Sequence, residues 1–582
     1  MIKRIISLFI STVMAFSGIQ LLSPDELIDI FFETLYGIPF TSSSIKGDFF
    51  SEIGENDIEV TGKNSGIVKN RLVVIIKSGT GFSQKRELLE SQNLKAIGWC
   101  APVDIFVVSC SQSDSGSIGK KCRSLMQNEC VRLAMPLVVS KNAPQGTPND
   151  QYYLFDDLEK CNWDELNPDG SEAWLEMINA RQAWDYEAYY NPVKLGVVDT
   201  GFSTRHPELK GKITFPNFWQ KLLNFPDYHG THVAGIIAAN RNDGIGVAGI
   251  CSQATLCCVD WSPLISWNSS LSVLFGLAAE VKAGAKAINF SVGKSAAAES
   301  DRLEMMENVI NADATLTYYF MSSLLEKGYD FLCIQSAGNG DAYGIPIDAR
   351  YNGIFCGIDE NQDFSVVSDI PYDEIEKRII IVGSTGYDSE NGYVQSGFNN
   401  VGSRIDITAP GEEIISTITD KSYLYLSGTS MSTPMVTGTA GLIWSINPKF
   451  TAEEVRNIIL SSTDRVSAKN DSLPEEADAI AKDIPVLNAK LCVEEALKRT
   501  YPDMGTVSGK IDLNGEKNAV VSFDGKEYTV FSDGSFSFVS DSGSGTLSVV
   551  LTDGTEAFSA EITVAAGEIT EVSSEPAPEI IE

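Results

Sequence analysis

Between Ile178 and residue 500, short apolar runs alternate with stretches of helical pattern, and no other feature constrains the fold as much. The runs include 195–198, 287–290, 331–336, 379–382 and 405–408. A strand that reads as a continuous apolar run is covered on both faces. Repeated strand–helix alternation predicts an α/β unit, a mostly parallel sheet flanked by helices. Such sheets place their sites beyond the carboxyl ends of the strands. One flanking helix is expected over 451–461, with Thr451 as N-cap and Glu454 completing a capping box.

Three segments put reactive side chains where this architecture exposes them. The run 195–198 ends in Asp199-Thr200-Gly201, a buried strand delivering a carboxylate at its tip. The segment Asp227-Tyr228-His229-Gly230-Thr231-His232-Val233-Ala234-Gly235 opens a helix of small residues. The chain has only three histidines, so candidates for a neutral-pH base are few. The segment Ser427-Gly428-Thr429-Ser430-Met431-Ser432-Thr433-Pro434 sets Ser430 before an apolar helical run, 435–444. A serine there has its own N–H at a helix N-terminus, which suits a nucleophile beside which an oxyanion forms. Singly these are a strand-end aspartate, a helix-cap histidine and a turn serine. Together, in this order, they form an acid, a base and a nucleophile.

These segments resemble the subtilisin-like (S8) serine proteases, whose triad runs Asp, His, Ser. A fourth segment, Gln335-Ser336-Ala337-Gly338-Asn339-Gly340, is similar to the family's oxyanion-hole motif. The resemblance covers 148–500 and implies a secreted endopeptidase acting on proteins or peptides through an acyl-enzyme. Asp199, His229 and Ser430 would be catalytic, and Asn339 would donate to the oxyanion. Ser291, Val292 and Gly293 resemble the edge strand that binds substrate backbone, with Ala337 and Gly338 opposite. Val292 and Ala337 suggest an apolar pocket, and Asp341 could favour a basic residue at its rim. His206 and His232 read as structural. The stretch 240–247 resembles the family's calcium loop. Its ligands would be the side chains of Asp150, Glu208 and Asn242 and the carbonyls of Asn240, Ile245 and Val247, oxygen donors suited to a structural Ca2+. The alternative is a non-catalytic surface or binding protein on a protease scaffold.

The flanking regions fit a zymogen. Residues 1–17 read as a secretory signal: Lys3 and Arg4 precede an apolar run, with small residues Ala15 and Ser17 at its end. Within 18–147, the core 71–140 shows a βαββαβ order suited to a ferredoxin-like α+β unit, similar to the family's propeptide and intramolecular inhibitor. The polar segment 141–150 reads as a linker, with autocleavage expected within 138–148. Residues 501–573 carry short strands punctuated by Asn514-Gly515, Asp524-Gly525, Asp533-Gly534 and Asp553-Gly554, a β-sandwich pattern resembling carboxypeptidase-regulatory modules. The tail 574–582 is acidic and expected to be disordered. With 44 Lys+Arg against 78 Asp+Glu, a net −34, the chain is a poor partner for nucleic acid or anionic membranes. No stable membrane insertion is expected after signal removal, and a monomer is. Eleven cysteines are an odd number; one or two disulfides are expected.

Overall fold

The structure, a computed structural model, describes residues 58–60, 65–77, 80, 82–100, 105–140, 142–144, 173–241, 246–262, 270–294, 303–341, 344–388, 392–464, 484–513, 519–531, 533–551 and 554–573. The signal segment, Asp150, Asn242, Ile245, Cys161 and the acidic tail lie outside the described residues.

The N-terminal unit contains β1 (Ile58–Val60), β2 (Ser65–Ile76), α1 (Phe82–Ser91), β3 (Lys95–Cys100), β4 (Ile105–Ser109), α2 (Ser115–Leu125) and β5 (Val131–Ser140). The sheet order is β1-β2-β4-β3, with β5 on the other side of β2. Apart from β1, this is the ferredoxin-like arrangement expected from the βαββαβ reading. The two-residue period of β2 divides its side chains. Leu72, Val74 and Ile76 pack with Leu88, Ile118 and Leu125 of the helices. Val73 and Ile75 face the other way, into a cluster shared with the central unit.

A short strand, β6 (Asn142–Pro144), leads out of this unit. The central unit begins with α3 (Ala173–Met177) and α4 (Ala180–Trp184). It continues through β7 (Val193–Asp199), β8 (Ile213–Thr214), α5 (Phe218–Leu223), α6 (Tyr228–Ala238), β9 (Ala254–Asp260) and α7 (Ser270–Lys282). Next come β10 (Ala287–Phe290), β11 (Val292–Lys294), α8 (Leu303–Glu326), β12 (Leu332–Ser336), α9 (Tyr372–Glu376), β13 (Ile379–Asp388) and β14 (Gly392–Gln395). It ends with β15 (Ile407–Pro410), β16 (Ile414–Thr417), β17 (Tyr423–Leu426), α10 (Thr429–Ile446), α11 (Ala452–Ser461), β18 (Thr463–Asp464), β19 (Val486–Leu487) and α12 (Ala489–Thr500).

The main sheet runs β18-β19-β15-β13-β12-β10-β7-β9-β8, with β14 also on β13. From β19 to β8 every neighbouring pair is parallel. The chain goes from β7 to β9 on one side, then to β10 on the other, so the topology switches beside β7. The crevice of an open sheet lies at such a point. All eighteen residues of α10 are buried, against α6, α12 and the sheet. Some of its hydroxyls are satisfied within the helix: Thr433 and Thr439 donate to the carbonyls of Thr429 and Met435. The expected capping box of α11 is present, Thr451 with Glu454.

The last unit consists of β20 (Met504–Lys510), β21 (Ala519–Phe523), β22 (Lys526–Thr529), β23 (Ser535–Asp541), β24 (Gly543–Leu551), β25 (Glu556–Val564) and β26 (Ile569–Ser573). They form a sheet β23-β20-β26 facing a sheet β22-β21-β24-β25, the sandwich expected. Nine described cysteines are free thiols, and eight of them are buried, so the expected disulfides do not form among these nine. They serve as small apolar residues there, and burial pushes Cys251 and Cys356 up to about 12. Among the described residues no helix is long and apolar enough to cross a membrane.

Candidate active site

Strand β7 is buried along its last five residues and ends at Asp199, which is 1% exposed. Helix α6 starts beside that tip. Asp227 is its N-cap and accepts the His229 N–H at 2.9 Å, so the second residue of the helix is the histidine. Thr200 joins the two elements, donating its hydroxyl to Asp227 at 2.8 Å and accepting the Gly230 N–H at 3.0 Å. The approach is possible only for glycine at 230, where a Cβ would sit 2.3 Å from the Thr200 carbonyl oxygen. His229 Nδ1 then lies 2.7 Å from Asp199 Oδ1, with the ring fully buried. A charge-assisted bond of this kind holds one imidazole tautomer, Nδ1–H toward the carboxylate.

Ser430 is the second residue of α10 and is buried. Four residues on stands Pro434, which has no N–H to give to the Ser430 carbonyl. The Ser291 hydroxyl takes that place, donating to Ser430 O at 2.8 Å. Ser291 in turn accepts from Asn289 Nδ2 at 3.0 Å, and Thr437 donates to Asn289 Oδ1 at 3.1 Å. The end of β10 thus grips the first turn of α10.

Asn339 follows β12. Its Oδ1 accepts both the N–H and the hydroxyl of Thr429, each at 2.8 Å. That fixes the amide orientation and turns Nδ2 away from Thr429. Gly338 before it has φ +109°, open only to glycine. Asn400 staples the same loop: its Nδ2 donates to Ala337 O at 2.9 Å and its Oδ1 accepts from Gly340 N at 2.9 Å. Thr429 and Asn400 escaped sequence reading because they act through contacts 90 and 60–63 residues away in the chain.

Strand β11 pairs antiparallel with β6: Val292 faces Pro144, Gly293 faces Ala143 and Lys294 faces Asn142. Part of the segment read as a linker is therefore a strand laid on the edge that the sequence reading assigned to substrate. Val292 and Ala337 are fully buried in a cluster with Phe290 and Phe355. Asp341 is buried, and its Oδ1 accepts the Ile345 N–H at 3.0 Å, shaping its own turn.

The two other histidines are enclosed. His232 Nε2 lies 3.0 and 2.9 Å from the carbonyls of Ile414 and Leu424, and burial lowers its pKa to about 3. It is a neutral pin between α6 and the β16–β17 hairpin. His206 bonds Ser422 O and accepts from Glu208 N, and burial lowers its pKa too. Of the expected calcium ligands, Glu208 is fully buried, and its Oε1 accepts from Val247 N at 3.1 Å and Tyr423 Oη at 3.0 Å. Asn240 donates its N–H to Glu208 O at 3.1 Å.

The subtilase family model matches residues 191–480. The major intracellular serine protease of Bacillus subtilis (strain 168) is 32% identical over 285 residues, 47% of this chain and 74% of that one. The chain belongs to the subtilase family. A thermophilic serine proteinase from Bacillus sp. (strain AK1) is 26% identical over 424 residues, 71% of this chain and 86% of the relative. The solved structure of fervidolysin from Fervidobacterium pennivorans, a keratinolytic enzyme related to subtilisin, shares the fold. Its TM-score is 0.50 at 17% identity, covering 90% of this chain and 81% of that one. This subtilase is a subtilisin-like serine endopeptidase.

Proposed function

We propose that the protein is a secreted zymogen whose nucleophile is Ser430. The bond between His229 Nδ1 and Asp199 Oδ1, at 2.7 Å in a buried site, carries this reading. Ser430 Oγ attacks the scissile carbonyl while His229 Nε2 accepts its proton, later returning it to the leaving amine. Asp199 keeps the tautomer and stabilises the imidazolium. The Ser430 N–H and Asn339 Nδ2 receive the oxyanion. On subtilisin, a relative, loss of such a side-chain donor costs about 10²–10³ in kcat. Fluorophosphonate labelling of the processed protein tests the reading. Labelling lost in Ser430→Ala is expected, and a processed wild type that does not label refutes it.

The N-terminal unit is its inhibitor, and β6 acts as a product-like strand on β11. Peptides bound this way gain main-chain hydrogen bonds with little sequence demand. The observation favouring it is the pairing of Asn142–Pro144 with Lys294–Val292. N-terminal sequencing of the active form is expected to place the cut between 138 and 148. An intact, active full-length chain would sink this part.

A structural Ca2+ held by Asp150, Glu208, Asn240, Asn242, Ile245 and Val247 completes the proposal. The buried Glu208 carboxylate beside the Val247 loop is the chemistry such an ion takes. An ion bound only by the folded state at 100 times its Kd adds about 2.7 kcal/mol. EDTA should therefore lower the Tm, and an unchanged Tm excludes the ion.

A further inference from the structure

Strands β10 and β12 pair as far as Phe290 and Gln335, and beyond that point 291–293 and 336–338 run on without pairing to each other. The side chain of Asn352 lies between them. A Cβ on Gly293 would sit 1.8 Å from Asn352 Oδ1, and one on Gly338 would sit 3.2 Å from its Cγ. Asn352 Nδ2 donates to Ser336 O at 2.7 Å, and the residue is 1% exposed. Its turn is fixed by Gln335, whose Oε1 accepts the N–H groups of Phe355 and Cys356 at 3.0 and 3.1 Å.

A peptide on β11 in the register of Asn142–Pro144 runs toward Ser291, because the pairing is antiparallel. The residue after the Pro144 position comes opposite Ser291, whose hydroxyl holds the Ser430 carbonyl. Its side chain is the one offered to the space between the two glycine-bearing segments.

Resting on the reading of Ser430 as nucleophile, we propose that Asn352 determines specificity at this position: its buried amide floors the pocket and selects an amide side chain, glutamine or asparagine, just before the scissile bond. A substrate amide exchanges hydrogen bonds with a floor made of the Asn352 amide and the Ser336 carbonyl. An apolar side chain desolvates that floor and returns nothing. A carboxylate meets the Ser336 carbonyl oxygen that Asn352 Nδ2 holds. The chain's own residue after Pro144 is Gln145, an amide.

The test is a peptide library, varied at the residue before the cut, read on processed wild type, Asn352→Asp and Asn352→Leu. Wild type is expected to favour Gln or Asn over Leu and Lys by at least about tenfold in kcat/KM. Asn352→Asp should turn the preference toward Lys and Arg, and Asn352→Leu toward Leu and Met. In the precursor, Gln145→Leu leaves the enzyme untouched and should slow processing about tenfold, which decides the matter even where an Asn352 variant fails to fold. A wild type that prefers apolar or basic residues overturns the proposal. So does an Asn352→Asp enzyme that labels with fluorophosphonate yet keeps the wild-type profile. A wild type that never labels overturns the Ser430 reading instead.

Discussion

Two β-rich units flank the protease, and they are attached by different physics. The N-terminal sheet has its own core between strands and helices, with Leu72, Val74, Leu88 and Ile118 at its centre. It meets the protease through an apolar face, Val73, Ile75 and Val107 among it, and through the short strand β6. The core of the C-terminal sandwich is continuous with the enzyme's. Val507, Tyr528 and Phe538 belong to one continuous cluster with Leu497, Met435 and Leu195. A buried polar seam runs along it: Tyr186 Oη donates to Glu494 Oε1 at 2.8 Å and accepts the Val539 N–H at 2.8 Å. The Glu494 carboxylate also pairs with Lys490 at 2.7 Å. A unit with a self-sufficient core can leave without unfolding its host. A unit that completes its host's core cannot.

The largest expected effect follows from that contrast. Ending the chain at residue 500 strips cover from the shared cluster and removes the Val539 N–H from Tyr186 and Thr529 from Asp185. Burial of this extent sets most of a domain's stability, so soluble, cooperatively unfolding enzyme should be lost. Removal of the N-terminal unit after folding should leave an active enzyme with an unchanged unfolding transition. Calorimetry on both forms breaks the comparison if the truncated chain melts like the intact one.

Next comes Val73→Asp. In the free N-terminal unit this side chain faces outward, opposite Leu72 and Val74. In the assembled protein it would bury an unpaired carboxylate, which costs several kcal/mol or forces dissociation. The variant precursor is expected to show protease activity before processing, with the mature enzyme's stability unaltered. Tight latency in Val73→Asp would show that β6 alone holds the unit in place.

A smaller effect is expected of Tyr186→Phe. It removes one hydroxyl from the seam and leaves the buried Val539 N–H without an acceptor, a loss of about 1–3 kcal/mol. Denaturant unfolding of the processed enzyme measures it, and a neutral result would mean that the seam is apolar in effect.

The sequence carried more of the site than of these attachments. Asp199, His229 and Ser430 were legible because each sits at an element's end that local pattern defines: a strand tip, an Asp-capped helix start, a small-residue turn before an apolar helix. The parallel sheet was legible from runs such as 287–290 and 379–382. What pattern could not supply were relations between distant residues. The Pro434 that frees the Ser430 carbonyl is visible in sequence, but the Ser291 hydroxyl that takes it lies 139 residues away. Glu280 sits on an apolar helix face, where a charge has no local reason to be. Its carboxylate accepts the Val197 N–H at 3.0 Å through space that Gly196 leaves open, where a Cβ would be 2.0 Å from Glu280 Oε2. Asp185 and Tyr186 follow the short helix α4, and nothing nearby in the sequence marks them as a docking surface.

Asp185 gives the finest probe of the seam. Its Oδ2 accepts the Thr529 N–H at 2.8 Å and its Oδ1 the Thr529 hydroxyl at 3.2 Å. Burial is the main cause that raises its pKa from 3.8 to about 6; the Thr529 bonds and Lys490 oppose, and Glu494 adds to it. Between pH 3.8 and 6 the folded chain keeps a proton that the unfolded chain has released. The contribution of this carboxyl is therefore full below pH 3.8, declines as the pH rises toward 6 and is level above it. Asp185→Asn keeps an acceptor for Thr529 and cannot titrate. The unfolding free energy of the variant relative to wild type should rise from pH 4 to pH 6 and then stay constant. His232 works in the opposite sense, its lowered pKa withdrawing stability as the pH falls from 6.5 toward 3. That contribution is common to both proteins and cancels in their difference, so the difference curve reads the sandwich seam alone. A curve flat from pH 4 to 7 would mean that Asp185 is ionised in the folded protein throughout, and that water reaches the seam.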